Sequence, residues 1–169
     1  MLNSEGLISS MKKKSRLEEE SRLVGDFGEL ALAFYLTKLG IHVIRADTVF
    51  FDLIVKDKRK IIFKNDKLVG ISVKIRDRTS TTPSCTIQLK EYNRIKSFGE
   101  KWGLEPWICF IIVYKKDNKR ILEGFLFPYE KAKDYMAHGK RKYAISFSKL
   151  RQAHENGFIK EKEYFKWTL

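Results

Sequence analysis

An aspartate interrupts an otherwise apolar strand pattern in the first third of the chain. Asp52 lies between Phe51 and Leu53, within the β-prone run from Val49 to Lys56. Burying a carboxylate in such a strand is costly unless a cation or strong hydrogen-bond donors compensate for its charge. The position therefore indicates either a bound cation or, as is more common for a single strand-entry aspartate, a residue that caps a turn.

A lysine follows on the next long strand pattern. The run from Val69 to Arg76 alternates apolar residues with small or polar ones, so Ser72 and Lys74 leave the strand on the same face. A single lysine on an alternating strand is usually a solvated side chain. Whether Lys74 has a catalytic role therefore depends on which residues the fold brings next to it.

The elements that must position these residues follow a regular order. Apolar residues recur at three and four positions from Glu18 to Leu39 and predict a helix that ends at Gly40. Strands are predicted over 41–45, 49–56, 69–76, 107–114 and 121–127, with a second helix over 87–102 after a loop over 77–86. Residues 57–66 fit either a hairpin arm or an extra strand. This order predicts an α/β fold with a central mixed sheet flanked by helices.

The chain length favours one domain with short additions. Residues 1–17 lack clear periodicity and are predicted to form a flexible basic leader. Residues 18–128 form the predicted core. Residues 129–169 form a predicted helical extension packed on that core, with a short helix over 147–156.

Net charge indicates the class of partner. The 34 Lys and Arg residues exceed the 21 Asp and Glu residues, which gives a formal charge of +13. Such a charge favours a polyanion as partner, and a generally basic protein is the alternative. The longest apolar run, Trp107 to Tyr114, is too short to span a membrane. Without a secretory signal or paired cysteines, the chain is expected to be cytoplasmic and not bound to membranes.

Taken together, the spacing and order resemble the PD-(D/E)XK nuclease superfamily, most closely archaeal Holliday-junction resolvases and related small nucleases. The resemblance covers residues 22 to 128, and its pieces are Gly25-Asp26-Phe27-Gly28-Glu29, Phe51-Asp52-Leu53-Ile54-Val55 and Ile71-Ser72-Val73-Lys74. Gln88 and Tyr92 have a spacing similar to the Gln-x-x-x-Tyr motif of RecB-like nucleases. The resemblance implies a restriction-endonuclease-like αβββαβ core with a short helical C-terminal extension.

The resemblance also implies a metal site. Glu29, Asp52 and the Val73 carbonyl would hold Mg²⁺ or Mn²⁺. Lys74 would position or help to deprotonate the attacking water and would stabilise negative charge in the transition state. Gln88 would join this catalytic set through the Gln-x-x-x-Tyr motif.

One residue departs from the family pattern. Ser72 stands where most members carry Glu or Asp, and a neutral hydroxyl is a poor Mg²⁺ ligand. Glu91 is the candidate for a carboxylate that has migrated to the following helix, with an ordinary solvated glutamate as the alternative. The residues expected to contact nucleic acid are Ser72, Arg76, Arg78 and Tyr92.

The expected function is that of a metal-dependent DNA endonuclease acting on duplex or branched DNA. Because of Ser72, a catalytically degenerate DNA-binding protein is the alternative, and a small basic RNA-binding protein is the second alternative. A homodimer is also expected from the resemblance. Its predicted interface residues are Trp102, Trp107, Phe158 and Trp167, for which burial in the core is the competing interpretation.

Overall fold

A six-stranded mixed sheet forms the centre of the protein, with strand order β1-β2-β3-β5-β6-β9. The computed structural model describes residues 4–46, 48, 50–78, 84–135, 137–138 and 142–169. The strands are β1 (His42–Arg45), β2 (Leu53–Lys56), β3 (Leu68–Arg78), β4 (Ser84–Gln88), β5 (Leu104–Lys116), β6 (Lys119–Pro128), β7 (Ala137–His138), β8 (Lys142–Ser146) and β9 (Tyr164–Thr168). The helices are α1 (Ser4–Lys38), α2 (Leu89–Trp102), α3 (Ala132–Tyr135) and α4 (Phe147–Glu155), with 3-10 turns at Tyr129–Lys131 and Glu161–Glu163.

The central sheet separates two apolar layers. Strands β3 and β5 are parallel, and the other neighbouring pairs of this sheet are antiparallel. On one face, Ile71 and Ile111 pack with Leu32 of α1. On the other face, Phe110 packs with Ile95 of α2, and a small sheet of order β4-β8-β7 lies beside it. The predicted α/β fold, a mixed sheet with helices on its faces, is confirmed.

Helix α1 is longer than predicted, because it begins at Ser4 and not at Glu18. The backbone of residues 4–17 is therefore helical where a flexible leader is predicted. Residues 57–66 form neither a hairpin arm nor a strand, and the Asp57 carboxylate accepts the backbone N–H groups of Ile62 and Phe63 in an irregular turn. Among the described residues, no helix combines the length and apolar character that a membrane span requires.

The start of the second helix was wrongly predicted. Ile87 and Gln88 belong to strand β4, and α2 begins at Leu89. The reason is that Cys85 and Ile87 alternate toward the core while β4 pairs with β8, a partner about sixty residues away. The helical spacing at Ile87 was coincidental, since an apolar residue at a strand end also fits a helical register.

The region after residue 128 contains the predicted helix, α4, and also three strands that were not predicted. Strand β9 pairs with β6 and completes one edge of the central sheet. A buried carboxylate joins the two parts, because Glu123 of β6 accepts hydrogen bonds from the Arg151 guanidinium and from the Tyr164 hydroxyl at 2.9 Å. The extension thus packs on the sheet through polar as well as apolar contacts.

Candidate active site

Asp52 is fixed to strand β3 immediately before β2 begins. Its backbone N–H donates to the Ile71 carbonyl at 2.9 Å, and its Oδ2 accepts the Val73 N–H at 2.6 Å. The neighbouring Phe51 ring lies over Gly70, where an added Cβ would be 2.6 Å from the ring. Ring and hydrogen bonds together hold the Asp52 carboxylate beside the middle of β3.

The Asp52 carboxylate is held in an environment that disfavours its charge. Burial raises the pKa of Asp52, and the hydrogen bond from Val73 opposes that shift. The negative charges of Glu29 and Glu91 raise this pKa further, while Lys74 lowers it. Glu29 of α1, Glu91 of α2 and Lys74 of β3 therefore all act electrostatically on Asp52.

Lys74 makes a close ion pair with the second helix. Its Nζ lies 2.7 Å from Oε1 of Glu91, and both side chains are about one-third exposed. The pair forms because Lys74 leaves β3 on the face that α2 covers, as the alternation of that strand predicts. Glu91 is therefore neither freely solvated nor unpartnered, and it supplies the counter-charge of the lysine.

Glu29 reaches the site from α1. Its Oε2 accepts a hydrogen bond at 2.9 Å from Arg45 of β1, which also lies 3.6 Å from Asp26. Gly28 allows α1 to approach the sheet, because an added Cβ would meet the Ile75 side chain at 3.0 Å. The small residue next to Glu29 thus lets this part of α1 lie close to β3.

The fit of these residues to a divalent cation rests on two carboxylates. Among the described residues, no three metal-ligating side chains come together around one point. Mg²⁺, however, commonly uses only one or two protein carboxylates and takes its other ligands from water and substrate phosphates. Asp52 and Glu29 offer such oxygen ligands. Burial disfavours the charged form of Asp52 and raises its pKa, and a bound cation would favour the charged form and lower that pKa.

The Val73 carbonyl lies on the same side of β3 as Asp52. The Ile71 carbonyl accepts the Asp52 N–H, and carbonyls two residues apart on a strand point the same way. The last residue pair between β2 and β3 is Leu53 with Ile71, so Val73 lies beyond the paired part of β2. This position is compatible with the predicted role of the carbonyl as a metal ligand.

Replacing the Asp52 charge should stabilise the folded protein. We expect Asp52→Asn to raise the free energy of unfolding at pH 7 in EDTA by about 1 kcal/mol, the usual size of a stabilising substitution. The pKa of Asp52 is higher in the folded protein than in the unfolded one. Protonated Asp52 therefore favours folding at acid pH, and this stabilisation is lost as the pH rises through the folded-state pKa. The gain measured by urea denaturation should therefore shrink toward pH 4, and a loss of stability at pH 7 would contradict the raised pKa.

Several predicted site residues are placed differently from expectation. Gln88 is an exposed residue that precedes α2, so it does not share a helix face with Tyr92. Tyr92 is 3% exposed and stacks on Tyr129 with ring centres 4.7 Å apart. Ser72 is 2% exposed beneath the α2 layer. Burial of Tyr92 and Ser72 does not support direct contact of either side chain with nucleic acid.

The two predicted arginines extend along β3. Arg76 is exposed on the same strand face as Lys74, and its Nη1 donates to the Ile75 carbonyl at 3.2 Å. Arg78 ends β3, and its side chain lies outside the described residues. Arg76 thus remains available to a ligand that follows the strand beyond Lys74.

Sequence reasoning missed one contributor to this region. Arg45 binds Glu29, yet sixteen residues separate them and no local pattern links them.

Comparison with known proteins gives a structural match and no sequence family. No family model matches the sequence, and no curated protein is significantly similar to it. The solved structure of Hjc from Archaeoglobus fulgidus, a Holliday junction resolvase from an archaeal hyperthermophile, is similar with a TM-score of 0.53. The match has 17% identity and covers 76% of this chain and 88% of that one. The chain therefore has the restriction-endonuclease-like fold of that resolvase.

Proposed function

We propose that this protein is a metal-dependent endonuclease that hydrolyses phosphodiester bonds in duplex or branched DNA. The observation that carries the proposal is the pairing of Asp52 with the Val73 N–H one residue before Lys74, within a nuclease-like fold. The contact joins the Asp52 carboxylate to the backbone beside Lys74, at a point where β3 extends past its last residue pair with β2. Phosphodiester hydrolysis can use a carboxylate to hold a metal ion and an ammonium group to stabilise negative charge in the transition state.

Glu29, Asp52 and the Val73 carbonyl would hold Mg²⁺ or Mn²⁺, which when bound lowers the pKa of water and neutralises phosphate charge. In hydrolysis a water oxygen bonds to phosphorus and the bond to the leaving sugar oxygen breaks. The proton that the attacking water loses passes to solvent, and the leaving oxygen takes up a proton from solvent. The Lys74 Nζ lies 2.7 Å from Oε1 of Glu91, which holds the side chain in one position. We assign Lys74 to stabilising the negative charge that grows on the phosphate.

Basic residues on the Lys74 face suggest the path of the nucleic acid. Lys74 and Arg76 leave β3 on the same face, and both side chains reach solvent, Lys74 in part. We propose that the phosphate backbone of DNA contacts Arg76 beside the site.

A catalytically degenerate DNA-binding protein is the second candidate. Ser72 occupies the place of the usual acidic ligand, is buried and offers only a neutral hydroxyl. The substitute carboxylate, Glu91, is engaged by Lys74. Both features would leave a binding surface intact while weakening the capture of a cation.

Cleavage assays separate these possibilities. A labelled four-way DNA junction, a duplex of the same sequence and a matched RNA are incubated with protein in Mg²⁺, in Mn²⁺ and in EDTA. We expect cuts in DNA only with a cation, with the junction cut fastest because the neighbouring fold is that of a junction resolvase. DNA binding without cleavage in either metal would favour the degenerate protein. Selective binding of RNA would replace both proposals with an RNA-binding function.

A further inference from the structure

Three aromatic rings form a row between the candidate site and the end of α2. Phe50 packs on Phe98 with ring centres 4.9 Å apart, and Phe98 packs on Trp102 at 5.7 Å. We call these three residues the aromatic row. Trp102, at the outer end, is 63% exposed, whereas Phe50 and Phe98 are partly buried. A large ring that is open to solvent beside two others offers a contact surface to a ligand.

The inner end of the aromatic row is fixed to the segment that carries Asp52. Phe50 comes two residues before Asp52 in the chain. The Phe98 ring also packs on Phe51, with ring centres 5.8 Å apart, and Phe51 is fully buried. The row therefore begins beside the candidate site and is anchored in the core there.

The same side of α2 connects the aromatic row with the Lys74 ion pair. Four residues at spacings of three and four lie on this side of the helix: Glu91, Arg94, Phe98 and Trp102. Glu91 is paired with Lys74, and Arg94 is exposed. Trp102 lies about 16 Å along the helix axis from Glu91. A ligand that follows this side of α2 from Trp102 therefore passes Arg94 and arrives at the site.

The open area of the aromatic row suits a nucleobase better than a protein. A tryptophan side chain has an area of about 250 Å² at most, so the exposed part of Trp102 amounts to roughly 150 Å². The two phenylalanines are partly buried and each adds less. A stable protein interface buries about 800 Å² on each partner. Nucleobases, in contrast, are single planar rings or pairs of fused rings that stack on one aromatic side chain.

We propose that the aromatic row stacks on unpaired bases of single-stranded DNA, while Arg94 contacts the phosphates of the same strand. The bases of a duplex are paired and stacked on one another, so their faces are closed to such contacts except at an end. The row therefore favours DNA in which a single-stranded arm adjoins a duplex. The inference rests on the proposed function for the place of the duplex beside Asp52 and Lys74. The formal charge of +13 favours a polyanionic ligand.

Binding of the full chain to DNA in EDTA tests the inference without cleavage. Fluorescence anisotropy compares a blunt duplex with the same duplex carrying a thymidine arm of about ten nucleotides. We expect the arm to raise the affinity about 10-fold, a usual contribution of one stacked base. Trp102→Ala should lose this gain while binding the blunt duplex like wild type, and Trp102→Phe should retain most of the gain. The control Phe158→Ala, which removes a ring that is 67% exposed outside the row, should behave as wild type.

Two further measurements assign the contacts. A base stacked on Trp102 quenches its fluorescence, so the arm should quench wild type strongly, whereas Trp102→Phe should bind the arm with little quenching. Arg94→Ala should reduce the slope of log affinity against log salt for a thymidine oligonucleotide by about 0.7, the value for one phosphate contact to a single strand. Lys96→Ala, on the opposite side of α2, should leave that slope unchanged. Circular dichroism verifies that each variant is folded.

The inference is overturned if the arm adds no affinity, if Trp102→Ala keeps the gain, or if a ribonucleotide arm binds more tightly than the DNA arm. Failure of the inference is distinguishable from failure of the proposed function. A protein that binds the arm through Trp102 but cuts no DNA in Mg²⁺ or Mn²⁺ supports the aromatic row and removes the nuclease. Metal-dependent cleavage without any gain from the arm supports the nuclease and removes the row.

Discussion

Asp52→Ala and Lys74→Ala should each reduce the rate of DNA cleavage by about 10²-fold to 10³-fold or more while changing DNA affinity little. Asp52 is proposed to hold the cation, and Lys74 to stabilise charge that appears only as the phosphate reacts. Neither role contributes much to binding the intact backbone, which depends on several separate basic residues. Single-turnover cleavage and fluorescence anisotropy, measured on the same junction, separate the two effects.

Exposed residues of the same types provide controls for these variants. Asp66→Ala removes a carboxylate that is 80% exposed and pairs with Lys60, and Lys101→Ala removes an exposed lysine near the end of α2. Both should cleave at the wild-type rate. Wild-type cleavage by Asp52→Ala or by Lys74→Ala would remove the nuclease assignment, because the proposed chemistry requires both side chains.

Glu91→Ala should lower metal-dependent cleavage by about 10-fold to 100-fold, the usual effect of losing a residue that positions or supplements a metal site. Its carboxylate lies 2.7 Å from the Lys74 ammonium and its charge reaches Asp52. Adding Ser72→Glu should restore part of the activity, because residue 72 shares the Lys74 face and returns an oxygen ligand to the strand. The rescue is expected to be partial, since a buried serine site must accommodate a longer side chain.

Glu91→Gln distinguishes charge from position. The amide can still accept a hydrogen bond from Lys74, but it provides no negative charge for a cation. If Glu91 acts as a ligand, Glu91→Gln should be as impaired as Glu91→Ala. If it only orients Lys74, Glu91→Gln should retain most of the activity. Full activity of Glu91→Ala would reject both roles, and thermal unfolding of each variant verifies that lost activity is not lost folding.

The parts of the fold that the sequence predicted are those with strong local periodicity. Strand β3 alternates over its whole predicted length, and β5 is apolar on both faces because it lies in the middle of the sheet. Strand β4 was missed because its five residues gain their structure from pairing with β8, which no local pattern reveals. Strand β9 was missed for the same reason, since its partner β6 lies about forty residues earlier.

The candidate site, like the fold, was predicted only where local sequence patterns determine it. Lys74 and Glu91 were both singled out, but their ion pair depends on where α2 begins, and that position was wrongly predicted. The burial of Tyr92 depends on Tyr129, which comes from a separate turn. Residue types and strand alternation therefore identified the chemistry, whereas the partner of each side chain was set by contacts between distant segments. The assigned roles remain predictions for the experiments above.

The contact between α1 and the β9 region has a consequence for synthesis of the chain. The Tyr35 hydroxyl donates to the carbonyls of Lys162 and Tyr164, and its ring stacks on Phe165 at 4.6 Å. Translation at about 5–20 residues per second separates the emergence of these segments by roughly 10 s. During that interval the α1 layer exists without the strand that borders it, and its apolar surface is open to other nascent chains. We expect the newly made protein to depend on chaperones until β9 is added.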